Sequence, residues 1–591
     1  MINSRTIFLI ITLSLSFIFS LINVHFVADI SVFAGIIALF FTCLLAVWSL
    51  YFLEIKKARK HLDATRLLCQ YVPLVFLVVF VMRRAGEKGC SFGFDLLSVL
   101  LWVGILIFSY LYSRFLDPKF LEKRYPEIYV KDYAHKPKNL LVKILCEVAE
   151  WIDALVQAAF MVLLIQIFIF QLYEIPSESM VPEFLVKDRV VVVKALSAPR
   201  FPLSDVGLPQ IVPFERGNIV VFRNPHYSKD RQSEVKNFMS QILYMLTFTM
   251  VNLNVDEYGQ LKADPLVKRI TGVPGEQLMM QDGILYSRRK GEAEFSVVQE
   301  DAKWAEWNLN DLPPAIKSQI NDFPVPELQY QYMLDVEKER NALSISALIP
   351  EMQALVKEFK RLKHSLGYTQ SENLDSSQLL SQFSQKEMTE FLLFSQHEDI
   401  TAKLLSAPWG IQWFTSFMTD WIDSYEVHKD AIVSNLYDEA NFKLNLMIKN
   451  VVGKLIVQNL QMIEQGVPVV VRLRSTDRLA LMTEAEKLHV YTVLLDRRNM
   501  PLFPANGADG KPSFIPKDNY FMMGDNRFNS LDMRHSYEET LVPLTAYDKF
   551  SATYYSNMKP QYVPKKDLLG FTVFRFWPLN RMGIPGLTGR N

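Results

Sequence analysis

Glu174-Ile175-Pro176-Ser177-Glu178-Ser179-Met180-Val181-Pro182 comes directly after an apolar run, 154–172, long enough to cross a bilayer. Two prolines bracket two serines, so the chain leaves the apolar run in a turn that carries hydroxyls at the membrane surface. The chain before the turn is expected in lipid, and the chain after it in water.

Upstream, apolar runs at 6–23, 33–53, 67–82 and 96–112 bring the candidate spans to five, the third being short and interrupted by Pro73. The first comes after Arg5 and resembles a signal peptide, but it has no clear small-residue cleavage site behind it, so it is read as retained. Positive charge gathers at Lys56-Lys57-Ala58-Arg59-Lys60 and across 114–143, which assigns those loops to the cytoplasm and delivers Ser179 to the outer side. Arg83, Arg84 and Lys88 fall outside in this scheme and run against it.

At 591 residues the chain exceeds one ordinary domain. Its formal net charge of +0, with no basic face interleaved with aromatics, speaks against a nucleic-acid partner. The four cysteines, Cys43, Cys69, Cys90 and Cys146, all precede Ser179, so the region after it has no disulfide framework. The nine histidines form no His-Glu-x-x-His pattern and no Cys/His cluster, and no Gly-x-Ser-x-Gly elbow or phosphate-binding loop occurs. No metal or cofactor is expected, and His535 reads as a surface residue.

After Ser179, Arg189-Val190-Val191-Val192-Val193-Lys194 and Asn218-Ile219-Val220-Val221-Phe222-Arg223 have the texture of strands, and Asp282-Gly283 marks a turn into another. From about 304 to 464 the texture is helical, with Met352, Leu355, Phe359, Leu362 and Leu366 on one face. Strand texture returns at Val469-Val470-Val471-Arg472-Leu473 and runs through Asn519-Tyr520-Phe521-Met522-Met523 to Phe574-Arg575-Phe576-Trp577-Pro578. The expected fold class is mixed: an N-terminal α-helical transmembrane region and a mainly β domain interrupted by a large helical insertion.

The expected division is 1–150 for about four membrane helices, 151–174 for the final one, 175–300 and 466–591 for the two parts of the β domain, and 301–465 for the insertion. Trp304, Trp307, Trp409, Trp413 and Trp421 suggest that the insertion has its own core. The segment 238–253 is nearly as apolar as a span; a buried core helix is the favoured reading and an interfacial helix the alternative. Phe574, Phe576 and Trp577 either dip into the membrane interface or pack in the core.

Serine attacks only when a base takes its proton, and lysine serves as that base only when its ammonium falls from about 10.4 toward neutrality. Lys268, in Val267-Lys268-Arg269-Ile270-Thr271-Gly272-Val273-Pro274-Gly275-Glu276, has apolar neighbours in Leu266, Val267 and Ile270, and burial would lower it. Arg269 would oppose protonation further if near, but strand alternation aims it to the other face.

Four blocks in order resemble the bacterial type I signal peptidases, the serine/lysine leader peptidases. They are Pro176 to Pro182, Arg216-Gly217-Asn218-Ile219-Val220-Val221-Phe222, Val267-Lys268-Arg269 with Val273-Pro274-Gly275-Glu276, and Gly524-Asp525-Asn526-Arg527 through Ser530, Asp532 and Arg534. The resemblance covers about 151–295 and 516–583. It implies a signal-peptidase-like catalytic domain of antiparallel sheets, with Ser179 as nucleophile and Lys268 as general base. The Ser179 N–H and Ser177 hydroxyl would form the oxyanion hole, Ser530 would hydrogen-bond the base amine, and Asp532 with Arg534 would hold that loop.

The resemblance also implies a multi-pass enzyme of the bacterial inner membrane, catalytic on the periplasmic face, with small residues at the first and third positions before the cut. Its partners would be preproteins bearing signal peptides and the lipid bilayer, with the protein translocation machinery a further candidate. Three positions depart from the family: Glu178 for glycine, Phe528 for aspartate and Met533 for serine. An anion at Glu178 opposes negative charge developing in the oxyanion hole unless its side chain points to water. Two rivals remain: a related protease with one dedicated target, and a non-catalytic membrane scaffold whose helical insertion binds partners.

Overall fold

The computed structural model describes residues 4–25, 33–56, 61–84, 90–117, 119–120, 123, 140–227, 230–247, 250–251, 253, 255 and 262–586. Lys88, residues 57–60 and most of the basic stretch 114–143 lie outside them. Among the described residues, five helices are long and apolar enough to cross a membrane. They are α1 (Ser4–His25), α2 (Phe33–Ala46, continued as a π-helix Val47–Ile55), α3 (Leu62–Met82), α4 (Phe92–Phe115) and α5 (Leu140–Phe168).

Lipid offers the backbone no hydrogen bonds, so such apolar runs settle as helices. Several of their hydroxyls turn back on their own helix, Thr12 to the Phe8 carbonyl, Ser20 to Ser16 and Thr42 to Ala38. Phe19, Phe76, Phe80, Trp102 and Tyr112 fill the centre of the bundle. The carbonyl of Pro73 is taken by the Trp102 indole N–H at 2.9 Å.

Arg83 and Arg84 are buried at the end of α3. Arg83 Nε donates to the Asn23 carbonyl at 2.6 Å, and Arg84 Nε to Asp95 at 2.7 Å. Two residues of the β domain side join them: Ser204 donates to Asp95 at 2.8 Å and Arg231 to the Arg84 carbonyl at 2.9 Å. This end of the bundle therefore abuts the region after Ser179. Of the two arginines that counted against the expected sidedness, Arg84 is ion-paired at this junction, and Arg83 is bound to the Asn23 carbonyl of α1 within the bundle.

Helix α6 (Arg231–Leu246) corrects the favoured reading of 238–253. Val235, Phe238, Met239, Ile242 and Met245 recur at helical spacing and lie against the membrane-helix cluster, not in the β core. Gln241 on its flank donates to Gln166 of α5 at 2.5 Å.

Among the described residues the β domain has thirteen strands. Before the insertion come β1 (Phe170–Glu174), β2 (Arg189–Val193), β3 (Ile219–Phe222), β4 (Leu266–Gly272), β5 (Glu276–Gln281), β6 (Ile284–Arg289) and β7 (Ser296–Val297). After it come β8 (Met500–Phe503), β9 (Asn519–Met523), β10 (His535–Pro543), β11 (Thr553–Met558), β12 (Val563–Pro564) and β13 (Leu568–Trp577). A seven-stranded sheet runs β1-β2-β13-β3-β4-β9-β12, a four-stranded sheet β7-β6-β5-β8, and β10 pairs with β11. All of these pairs are antiparallel, and the large sheet curls.

Between the two groups of strands lie helices including Glu327–Ala342, Ile345–Ser365, Gly410–Val433, Leu436–Glu464 and Thr476–Arg498. The expected strand at 469–473 is absent: Val469–Arg472 is a helical turn entered from Pro468, its valines exposed and no described strand beside it to pair with. The insertion was expected to have its own core, but the core around Trp413, Phe417 and Trp421 also takes in Phe528, Leu544, Phe550 and Tyr554. At the C-terminal end Phe574 and Phe576 are half-buried, while Trp577 remains 49% exposed.

Candidate active site

Strand β1 leaves α5 almost without a joint and leads into the Ile175–Pro182 turn. Ile175 and Met180 of the turn, with Phe184 just beyond it, pack on Val190, Val192, Ile219 and Val221, alternate residues of β2 and β3. Strand β4 places Lys268 opposite Val220 of β3, and the curl of the sheet carries that position round to the turn. Lys268 Nζ and Ser179 Oγ are joined by a hydrogen bond.

Lys268 is 3% exposed. Burial pushes its ammonium down to about 8, Asp532 and Asp525 pull upward, and Arg534 reinforces the fall. Arg269, on the opposite face by alternation, does not add to that fall. It is held by Asp525 through bonds of 2.8 and 2.5 Å and donates to the Gly217 carbonyl at 2.9 Å.

Ser177 Oγ donates to Ser179 Oγ at 3.4 Å, so the two hydroxyls are neighbours. Among the described residues the Ser179 N–H has no acceptor. Asn526 explains its orientation: its Nδ2 donates to the Glu178 carbonyl at 3.1 Å and its N–H to the Ser179 carbonyl at 3.2 Å. In a trans peptide C=O and N–H point oppositely, so anchoring the Glu178 oxygen on Asn526 turns the Ser179 N–H the other way.

Glu178 is 7% exposed and does not point to water. Its carboxylate accepts from the backbone N–H groups of Asn321 at 2.6 Å and Asp322 at 3.2 Å. Its charge is thereby directed at the segment after β7 and away from Ser179. Phe528 likewise packs edge-on against Trp307 and Tyr330, at 5.3 and 6.3 Å between ring centres. Met533 is buried in the β core.

The polar loop runs beneath the serine. A Cβ on Gly524 would collide with the Ser179 carbonyl and Ser530 Oγ, so only glycine lets the two segments approach this closely. Asp532 accepts from the Gly524 N–H at 2.9 Å and from Arg534 Nε at 2.8 Å. Burial alone would raise the Asp532 carboxyl, but Arg534 outweighs it and holds the group below the usual carboxylate range. Ser530 Oγ is buried with no hydrogen-bond partner among the described residues, so the expected bond to the lysine amine is not made.

His535 corrects the expectation of a surface residue. It is 2% exposed at the start of β10, with Nδ1 at 3.0 Å from Asn557 Oδ1. Burial, then the Arg534 charge, pull it down to about 3, which keeps it neutral. Arg269, Asp525 and Asn526 belong to the sequence motifs that resemble the family, but their roles beside the turn emerge only from the structure. Asn321 and Asp322 act through backbone N–H groups and left no sequence signal.

No group of three or more His, Cys, Asp or Glu that could hold a metal occurs among the described residues. No curated protein and no solved structure matches the chain. The family model described as "Signal peptidase, peptidase S26" matches residues 148–339 and 458–577, more than half of the chain. Its unmatched gap falls within the helices between β7 and β8, so most of the helix entering the turn and all thirteen strands lie inside the match. The chain belongs to the signal peptidase family, peptidase S26.

Proposed function

We propose that this membrane peptidase removes signal peptides from exported preproteins with Ser179 as nucleophile and Lys268 as general base. The observation that carries the reading is the hydrogen bond between Ser179 Oγ and a lysine amine buried enough to titrate near 8. At pH 7.5 such an amine is neutral in roughly a quarter of molecules, enough to accept a proton.

Ser179 Oγ attacks the carbonyl carbon of the scissile bond while its proton passes to Lys268 Nζ. The tetrahedral oxygen receives hydrogen bonds from the uncommitted Ser179 N–H and from Ser177 Oγ; one such donor is worth about 10² to 10³ in rate. Lys268 then returns the proton to the departing amine. Water, deprotonated by the same lysine, attacks the acyl carbon; the bond to Ser179 Oγ breaks and Lys268 returns the proton to that oxygen, restoring the free serine. Asp532 with Arg534 and Asp525 with Arg269 hold the loop and strand that frame the pair.

The site would work at the outer face of a bacterial inner membrane, within reach of chains leaving the translocation machinery. The scaffold alternative drew on Glu178, but two backbone N–H groups already receive that charge, which favours the enzyme. The test is cleavage of a preprotein of known junction by the reconstituted wild type and Ser179→Ala. Cleavage by the wild type alone is expected; equal cleavage by both, or by neither, overturns the reading.

A further inference from the structure

A polar cavity of about 460 Å³ lies where the helix bundle meets the β domain. Ile167 in the last turn of α5 and Phe238 of α6 wall it on the bundle side; residues 198–205 and 566–569 wall it on the other. Lys194, at the end of β2, Arg223 and Arg231 line it together.

Most of the charge in the wall is already paired. Arg200 binds Asp205 at 2.9 Å, Arg223 binds Glu234 at 2.5 Å, and Asp95 is taken by Arg84 and Ser204. Asp567 also lines the cavity. Lys194 and Arg231 have only neutral partners: Lys194 Nζ donates to Gln171 Oε1 at 2.7 Å, and Arg231 to the Arg84 carbonyl at 2.9 Å. No carboxylate among the described residues comes within ion-pairing distance of either.

Loss of water, then the neighbouring Arg223 charge, draw the Lys194 ammonium down to about 8. A desolvated cation beside another cation is relieved by an arriving anion. Arginine forks match a tetrahedral oxyanion, and lysine adds a point charge.

We propose that this cavity binds a phosphate-bearing anion, held by Lys194, Arg223 and Arg231. The last turn of α5 borders it, so the phosphodiester of an anionic lipid can enter while its acyl chains remain along the helix. A soluble phosphate has the same chemistry and is the other source. The site is separate from the Ser179 pair, and its test does not depend on peptidase activity.

The experiment measures thermal unfolding and native mass spectra of the full chain. Phosphatidylglycerol, phosphatidylcholine or inorganic phosphate is added to the protein in neutral detergent. Wild type is expected to bind phosphatidylglycerol at least tenfold more tightly than phosphatidylcholine, and Lys194→Met with Arg231→Gln to lose that preference. Protection by inorganic phosphate equal to that by the lipid would identify a soluble anion as the occupant. Equal affinity for the two lipids without phosphate protection, or undiminished preference in the double variant, overturns the proposal. If the double variant does not fold, the wild-type preference and the single Lys194→Met variant decide.

Discussion

The Glu178 carboxylate and the Asn321 backbone N–H are 2.6 Å apart, which ties the residue before the serine to the segment that leads into the helices. Glu178 and Phe528 are two of the three departures from the family pattern, and both contact the stretch between β7 and the first long helix of the insertion or that helix itself. A glycine at 178 would leave the Asn321 and Asp322 N–H groups without this acceptor.

Glu178→Ala should therefore destabilise the protein by about 1–3 kcal/mol, the usual scale for hydrogen bonds to a buried charge. Proteolysis near 321 should accelerate with it, and Glu178→Gln should recover part of the loss. Chemical unfolding and timed digestion measure both. An unchanged Glu178→Ala would detach the residue from any positioning role.

Lys268 should give cleavage a rising alkaline limb with an apparent pKa of about 8, as the amine loses its proton. The same depression makes the folded lysine a poorer proton binder than the unfolded one. Its cost to stability is full below about 8 and is relieved as pH rises from there toward the ordinary lysine value. Lys268→Met should abolish cleavage yet raise stability at pH 7 by on the order of 1–3 kcal/mol. A pH–rate profile and unfolding curves at pH 7 and 10 check the two signs.

Asp532→Asn removes the partner of the wholly buried Arg534 and should cost about 3–5 kcal/mol. In the wild type, Asp532 contributes stability above the ordinary carboxylate pKa, and that contribution is lost as pH falls through its lower folded value. Melting curves from pH 7 down to pH 3 should show the wild type losing an increment that Asp532→Asn has already lost.

Gly524→Ala should force the loop off the Ser179 carbonyl. Overpacking of this kind costs about 1–3 kcal/mol. The effect on kcat should exceed that on KM, because the displaced groups hold the serine turn; steady-state kinetics separate the two.

The spans and strands were legible where periodicity had a single reading, as at Arg189–Val193 and in the run ending α5. Val469–Arg472 misled because β-branched composition says what a strand favours, not whether a neighbouring strand exists to pair with. The meeting of Ser179 with Lys268 was expected from the resemblance; the curl of the sheet joins them across 89 positions, which no local pattern encodes. His535 was misread because exposure statistics carry no information on what packs over one particular ring. The grip of Asn321 and Asp322 on Glu178 was illegible because backbone donors are the same at every non-proline residue.

Helix α5 ends at Phe168 and β1 begins at Phe170, while Arg84, Asp95, Ser204 and Arg231 clasp the two regions from the side. A single residue separates helix from strand, so the Ser179 turn is held close to the end of α5. Strand β1 is five residues of extended chain, about 17 Å end to end, and acts as a fixed strut between lipid and serine. Such a rigid gauge would favour substrates whose junction stands at that elevation, making tether length a criterion of choice alongside side-chain size.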